Sequence, residues 1–255
     1  MEAIHNILNE FEPITLKEMD NVKLMDRTDT KYVFKLDQLP MFLNEVMSDY
    51  RVLDVNGHRI SRYESLYFDT KNFDLYMSHH RGRPNRYKVR CRKYVESELH
   101  FFEVKFKNNK GRTIKDRVKQ AIIDGSIKDK AEALLVEKTP LIANNLEAKL
   151  WVNYSRITLV NKRSPERVTI DVDLTFKNND CDKIIHNLVI AEVKQDKALT
   201  SSFIRLMKKY HVREGSMSKY CFGVISLFDT IKQNNFKPKL ILLKKTLKYG
   251  TTAGN

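Results

Sequence analysis

Lysine and arginine residues alternate with apolar residues in one segment of this chain in a way that predicts anion-binding chemistry. In RYKVRCRKY (residues 86–94), the cations Arg86, Lys88, Arg90 and Arg92 are spaced two residues apart. Because alternate residues of a β-strand point to the same side, a strand here would carry four positive charges on one face. Such a face repels itself unless an anion lies against it. The segment therefore predicts a strand that binds an anion.

Six further segments show the same alternation, so at least seven strands carry charges on one face. They are RTDTKYVF (27–34), FFEVKFK (101–107), RTIKDRV (112–118), NYSRITLV (153–160), RVTIDVDLTF (167–176) and LVIAEVK (188–194). With one residue of a later SKY motif, the polar faces hold fourteen cations: Arg27, Lys31, Arg86, Lys88, Arg90, Arg92, Lys105, Lys107, Lys115, Arg117, Arg156, Arg167, Lys194 and Lys219. The five acids on these faces are Asp29, Glu103, Asp171, Asp173 and Glu192.

The opposite faces of these segments are apolar, which indicates how the strands are arranged. In residues 167–176, Val168, Ile170, Val172, Leu174 and Phe176 would share one face. A single strand of this kind fits the solvated outer face of an antiparallel sheet. Seven strands dominated by one sign of charge favour an α+β fold instead. We expect a closed antiparallel β-barrel, with its apolar outer faces covered by helices and its charged faces lining a tunnel.

Length and composition are consistent with a single domain that binds an anion. The chain has 255 residues and a net charge of +14, so we expect one domain over 1–255. Its parts would be an N-terminal helix and connection (1–20), a barrel core (24–225) and a basic tail (234–255) that ends in a frayed GTTAGN. Helices are predicted in 37–50, 128–148, 197–211 (starting near Thr200 or Ser201) and 218–233.

The cysteines and the apolar segments indicate the compartment. Cys91, Cys181 and Cys221 lack CxxC spacing, so we expect no disulfides and no structural zinc. No signal peptide and no apolar run of membrane-spanning length is visible. These features predict a cytoplasmic protein, with a peripheral position at a membrane as the alternative.

A cation-lined tunnel suits a chain of phosphates, because Arg binds two phosphate oxygens at once and Lys supplies a point charge. The acids are then candidates for binding Mg²⁺ or Mn²⁺, which phosphoryl transfer usually requires. Glu192 is the first candidate. Glu103, Asp171 and Asp173 are weaker candidates, since a salt bridge to a neighbouring Arg explains them equally well. No P-loop motif and no nucleophile–base pair is present, so the chemistry would rest on positioning and electrostatics.

Eight motifs occur in an order that resembles a known family. They are RTDTKYVF, SLYFDT, YKVRCRKY, FFEVKFK with TIKDR, YSR, RVTIDVDL, AEVK and SKY. From about residue 24 to 225 the chain resembles the polyphosphate polymerase domain of the vacuolar transporter chaperone (VTC) family, which belongs to the triphosphate tunnel metalloenzymes and is related to the CYTH enzymes. The resemblance implies an antiparallel barrel whose tunnel binds ATP and a growing polyphosphate.

The resemblance also implies roles for individual residues. The catalytic set would be Lys31, Arg90, Arg92 and the metal ligand Glu192. Phosphates would be bound by Lys31, Arg90, Arg92, Lys105, Lys115, Arg117, Tyr154, Arg156, Arg167, Lys194, Ser218 and Lys219. Strand alternation adds Lys88 to this second set.

Four functions remain open at this point. The first is a metal-dependent polymerase that transfers the ATP γ-phosphate onto polyphosphate. The others are a triphosphatase that uses the same tunnel, a non-catalytic binding module and a nucleic-acid binder. No nucleic acid is expected, because no helix-turn-helix or RNP-like motif is visible. The chain lacks the SPX domain and membrane helices of eukaryotic family members, so it resembles a stand-alone member.

The basic tail KPKLILLKKTLKYG (237–250) is ambiguous. It could guide polyphosphate, touch an anionic membrane or a partner, or form a solvated helix end. A membrane protein is therefore a candidate partner alongside ATP and polyphosphate.

Overall fold

The computed structural model describes residues 1–20, 27–196, 201–215 and 217–248. The predictions for residues 24–26, the Arg27 side chain, Thr200 and the GTTAGN end lie outside the described residues. Eleven strands occur in the described part of the chain: β1 (Pro13–Ile14), β2 (Arg27–Lys35), β3 (Tyr50–Leu53), β4 (Ser61–Thr70), β5 (Arg86–Tyr94), β6 (Leu99–Lys107), β7 (Thr113–Gln120), β8 (Leu146–Asn161), β9 (Glu166–Lys177), β10 (Asp182–Ile185) and β11 (Leu188–Asp196).

Eight α-helices accompany these strands in the same ranges. They are α1 (Glu2–Glu10), α2 (Leu16–Asp20), α3 (Leu39–Val46), α4 (Asp74–His80), α5 (Asp129–Lys138), α6 (Ser202–Lys209), α7 (Lys219–Leu227) and α8 (Lys237–Lys248). No described helix combines the length and the apolar character that crossing a bilayer requires. Cys91 and Cys221 are buried, Cys181 is exposed, and all three are free thiols.

One antiparallel path runs through the main sheet in the order β2-β11-β9-β8-β4-β5-β6-β7. β10 pairs antiparallel with β9, and β3 joins β8 on one side and the short parallel strand β1 on the other. Among the described residues, no hydrogen-bonded ladder joins β2 to β7, the two ends of the path. The antiparallel α+β fold predicted from the sequence is therefore confirmed, whereas closure of the barrel is not.

Side chains alternate across the sheet as the spacing predicted, and the helices cover much of its outer face. Val168, Ile170 and Val172 of β9 are buried with Phe42 of α3 and Phe203 of α6. A second outer cluster forms where β4, β5 and β6 pack against α5. Burying these apolar side chains stabilises the curved sheet from outside and leaves the opposite face free for polar groups.

A β-bulge interrupts the alternation in β9 and corrects one prediction. The pairing of β8 with β9 shifts register between Asn153 and Ser155, and Asp173 adopts a left-handed conformation with φ of 54°. The extra residue reverses the faces. Leu174 and Phe176 therefore join a concave-face cluster rather than the outer one. The single apolar face predicted for residues 167–176 is wrong beyond Val172, and Asp173 is exposed.

The predicted helices are present but shorter than expected. The segment 37–50 forms a 3₁₀ turn (Leu36–Gln38) and then α3. In 128–148, α5 ends before Pro140, a 3₁₀ turn follows at Ala143–Asn145, and strand β8 begins at Leu146, so the range is helical only in part. Lys219, counted with the strand charges, lies instead in the first turn of α7, where Ser218 is the N-cap residue.

Candidate active site

A cavity of about 380 Å³ lies on the concave face of the sheet and is lined mainly by cations. Seven strands contribute lining residues, together with α4, α7 and α8: β2, β4, β5, β6, β7, β8 and β11. Its twelve described Lys and Arg residues are Lys31, Arg86, Lys88, Arg90, Arg92, Lys105, Lys107, Lys115, Arg156, Lys194, Lys219 and Lys239. Only two carboxylates are among the described lining residues, Asp29 and Glu192. The two end strands thus face one cavity although no ladder joins them.

Two arginines of β5 form hydrogen bonds with side chains of the neighbouring strands β4 and β6. These bonds fix the positions of the two guanidinium groups in the cavity. The Arg90 guanidinium donates from Nη1 to the Tyr67 hydroxyl at 2.9 Å and from Nε to Glu103 at 2.7 Å. Arg92 donates from Nε to the Ser65 hydroxyl at 3.0 Å. Both side chains are buried. Arginines anchored in this way lose less freedom when their remaining N–H groups bind an anion.

Glu103 is the buried counter-ion of this part of the cavity. Its side chain is 0% exposed and accepts from Arg90 and from Lys115 Nζ at 2.9 Å. Burial raises the pKa of Glu103, but the neighbouring Arg90, Arg92 and Lys115 outweigh burial and hold it well below its usual range. Glu103 is fully buried and is not among the described lining residues of the cavity, which supports the salt-bridge role over metal binding.

Asp171 has the same role on the other side of the cavity. Arg156 donates to it from Nε at 2.5 Å and from Nη2 at 2.8 Å, and Lys219 of α7 donates to the same carboxylate. Burial raises the pKa of Asp171, while Arg156 and Lys219 lower it, to about 2 overall. Asp171 is therefore an ionised anchor that links β8, β9 and the start of α7.

Glu192 is one of the two carboxylates among the described lining residues of the cavity. It lies opposite Lys31 in the β2–β11 ladder and contacts Lys31 Nζ at 2.7 Å and Lys194 Nζ at 3.0 Å. Burial raises the pKa of Glu192, but Lys194 and Lys31 hold it far below its usual range. The described residues contain no group of three or more acidic, His or Cys side chains arranged for a metal. A single ionised carboxylate fits Mg²⁺ or Mn²⁺ only if phosphate oxygens complete the coordination.

Lys105 is surrounded mainly by positive charge, which the nearby Glu103 offsets only in part. Lys105 lies directly between Lys88 of β5 and Lys115 of β7 in the two ladders. The positive charge of Arg90, then burial, then Arg92 lower the pKa of Lys105 well below its usual value. Nothing in the described part of the chain forms a hydrogen bond or an ion pair with its amine. An anion bound in the cavity would raise the pKa of this side chain back toward its usual value.

The start of α7 brings polar groups to the cavity. The Ser218 hydroxyl accepts from Cys221 N at 3.3 Å as the helix cap and from Lys88 Nζ at 2.8 Å. Burial lowers the pKa of Lys88. Beyond this first turn the helix packs tightly on the sheet, since a Cβ on Gly223 would lie 2.4 Å from Leu150.

The structure brings most predicted site residues together and separates three of them. Arg117 is exposed and stacks on the Phe101 ring at 4.4 Å. Arg167 donates to the Met19 carbonyl at 3.3 Å and does not line the cavity. Asp173 is exposed at the bulge.

Tyr67, His79 and Lys239 are among the lining residues that the sequence did not indicate as site residues. Tyr67 lies in the SLYFDT motif, and Lys239 lies in the basic tail. Neither residue was predicted to bind phosphate. Burial and the nearby cations lower the pKa of His79 to about 3, so this ring is neutral.

Comparison with known proteins identifies a sequence family. The family model described as the VTC domain matches residues 26–228. None of the curated proteins compared with the chain matches it in sequence.

Several solved structures are similar at low identity. A proposed adenylate cyclase from Vibrio parahaemolyticus is 12% identical, with a TM-score of 0.46 over 78% of this chain and 99% of its own. A proposed adenylate cyclase from Bacillus halodurans is 12% identical, with a TM-score of 0.47 over 80% and 100%. A proposed adenylyl cyclase from Hippeastrum, described as having a dominant triphosphatase activity, is 12% identical, with a TM-score of 0.49 over 79% and 96%.

Proposed function

We propose, on the premise that this chain belongs to the VTC domain family, that it transfers the γ-phosphoryl group of ATP onto a polyphosphate chain. The observation that carries the proposal is the charge of the cavity, where twelve cations face two carboxylates among the described lining residues. Around Lys105 in particular, the positive charges outweigh the charge of the nearby Glu103. Such a cavity is stable as a charged site only with a polyanion inside it.

The geometry suits phosphoryl transfer, which depends mainly on positioning and on neutralising charge. Arg90 and Arg92 are anchored by Tyr67, Glu103 and Ser65, so that their free N–H groups are already oriented when phosphate arrives. The end of a polyphosphate chain is largely ionised near neutral pH, so the acceptor needs no general base. The absence of a nucleophile–base pair from the sequence motifs is consistent with this chemistry.

A divalent cation, Mn²⁺ or Mg²⁺, is part of the proposal. Glu192 would hold it together with phosphate oxygens, and the ion would neutralise charge on the transferring group. Lys31 and Lys194 keep Glu192 ionised, which a metal ligand requires. The buried carboxylates Glu103 and Asp171 are not among the described lining residues and anchor the arginines instead.

One observation favours a triphosphatase as the second candidate. The concave face beyond the cations is filled by apolar side chains of α7, including Phe222 stacked edge-on against Phe176 at 5.4 Å. A site limited in this direction suits a short triphosphate better than a long chain that must pass through. Water would then replace polyphosphate as the acceptor.

Incubation with ATP and Mn²⁺ separates these functions. Long-chain polyphosphate supports the polymerase, free phosphate alone supports the triphosphatase, and neither product indicates a binding module. Glu192→Gln should abolish either product but leave metal-free tripolyphosphate binding intact, because the substitution removes a metal ligand and no cation. Glu132→Gln, on the exposed side of α5, is the matched control. Full turnover in Glu192→Gln would remove Glu192 from the metal site.

A further inference from the structure

Asp69, near the end of β4, is a buried carboxylate that is not among the described lining residues of the cavity. Its Oδ1 accepts from the backbone N–H groups of Thr70 at 2.8 Å and Leu75 at 2.9 Å. Its Oδ2 accepts from the N–H of Tyr76 at 2.9 Å and from the hydroxyl of Tyr220. A buried carboxylate is costly unless its oxygens accept hydrogen bonds, so these four donors are stabilising. The carboxylate thereby joins β4 to the first turn of α4 and to α7.

Tyr220 connects this carboxylate to the wall of the cavity. Its buried ring stacks on the ring of Tyr67, with the two centroids 4.9 Å apart. The Tyr67 hydroxyl in turn accepts from Arg90, one of the two anchored arginines. A path of direct contacts therefore runs from Asp69 through the two tyrosines to a cation of the cavity.

Tyr220 also belongs to the first turn of α7, which supplies several lining residues. Lys219 precedes it in the chain and Ser218 is the N-cap residue, and both line the cavity. Because the residues of one helical turn move together, a bond that fixes Tyr220 also fixes where Ser218 and Lys219 present their polar groups. We propose that the Asp69–Tyr220 hydrogen bond positions the first turn of α7 for phosphate binding. Asp69 and Tyr220 are then positioning residues, and neither contacts the phosphates.

This inference rests on the proposed function, because it assumes that the cavity binds phosphates. It adds two residues that act on the site from outside the cavity. A bond that only stabilises the fold changes the free energy of unfolding and leaves the affinity of the folded protein unchanged. A positioning bond changes both, since a loosened helix turn must be ordered again when phosphate binds.

Removing one hydroxyl group tests the inference. Tyr220→Phe keeps the ring that stacks on Tyr67 and the three backbone donors to Asp69. Tyr50→Phe is the matched control, because the Tyr50 hydroxyl also donates to a buried carboxylate, that of Glu166. Tyr50 belongs to the outer cluster under α3 and α6 and does not line the cavity. Urea unfolding measures stability, titration calorimetry on the full chain measures tripolyphosphate affinity, and circular dichroism checks the fold.

We expect both substitutions to lower the urea midpoint, because each deprives a buried carboxylate of one donor. Tyr220→Phe should bind tripolyphosphate at least about fivefold more weakly, and Tyr50→Phe should stay within about twofold of the parent protein. In a Lys219→Met background the effect of Tyr220→Phe should shrink to less than about twofold, because the bond acts through that turn. In a Lys105→Met background the effect should persist.

An affinity of Tyr220→Phe within about twofold of the parent protein would overturn the inference. An equal loss in Tyr50→Phe, or an undiminished loss in the Lys219→Met background, would also overturn it, since the bond would then not act through the first turn of α7. If Tyr220→Phe does not fold, Asp69→Asn, which keeps one of the two acceptor oxygens, is judged by the same outcomes. A parent protein that does not bind tripolyphosphate would refute the proposed function itself, which is a different result.

Discussion

Replacing Lys105 with Met should raise stability and weaken binding at once. Lys105 faces Lys88 and Lys115 across both neighbouring strands and has no hydrogen-bond or ion-pair partner in the described residues. Met keeps an unbranched apolar side chain of similar length but removes the charge. Without ligand, the substitution removes repulsion. With ligand, it removes an interaction with phosphate.

Both effects can be estimated. At a separation of about 8 Å and an effective dielectric constant of about 20, two like charges repel by about 2 kcal/mol. The attraction between Lys105 and the nearby Glu103 offsets part of this repulsion, so we expect the free energy of unfolding to rise by about 1 kcal/mol in Lys105→Met. A hydrogen bond to a charged group contributes about 1.5–3 kcal/mol, so tripolyphosphate should bind about 10–100-fold more weakly.

Urea unfolding measures the first effect and titration calorimetry with tripolyphosphate measures the second. Lys130→Met, on the exposed face of α5, controls for replacing any lysine by methionine. A Lys105→Met protein that is less stable than the parent would show that Lys105 has a structural partner. Unchanged tripolyphosphate affinity would show that the cavity does not use this amine, and either result refutes the proposed charge imbalance.

Two further predictions concern pH and the rim of the cavity. Because the pKa values of Lys105 and Lys88 are lowered in the free protein and an anion would raise them, tripolyphosphate binding should take up protons and weaken as pH rises above neutrality. Calorimetry in two buffers of different ionisation enthalpy measures the uptake, and an identical heat in both would contradict it. Arg117→Ala should change tripolyphosphate affinity by less than about twofold, whereas Arg92→Ala should weaken it much more. Equal losses in a calorimetric comparison would place Arg117 inside the site.

The cation-lined face could be predicted from the sequence because its signal is local. Lys88, Arg90 and Arg92 need only the two-residue period of one strand to share a face, and Lys105 and Arg156 follow by the same rule. The period does not tell where along a strand the cavity ends. Arg117 obeys the alternation of β7, yet it lies beyond the cavity against Phe101.

Two other features depended on pairing between distant segments. The bulge at Asp173 arises from the register of β9 against β8, and no pattern within residues 167–176 marks it. Lys239 lines the cavity because α8 packs along β2. The basic composition of the tail did not indicate this packing.

The bulge explains how the helix α7 comes to contribute to the site. If the alternation of β9 continued unbroken, Leu174 and Phe176 would point outward with Val172, and the concave face would lack an apolar surface at this end. Reversal at Asp173 turns both side chains inward, where Phe176 contacts Phe222 and closely approaches Gly223. The helix is thereby fixed on the apolar half of the concave face. Its first turn then reaches the charged half, where Lys219 binds Asp171 and Ser218 accepts from Lys88.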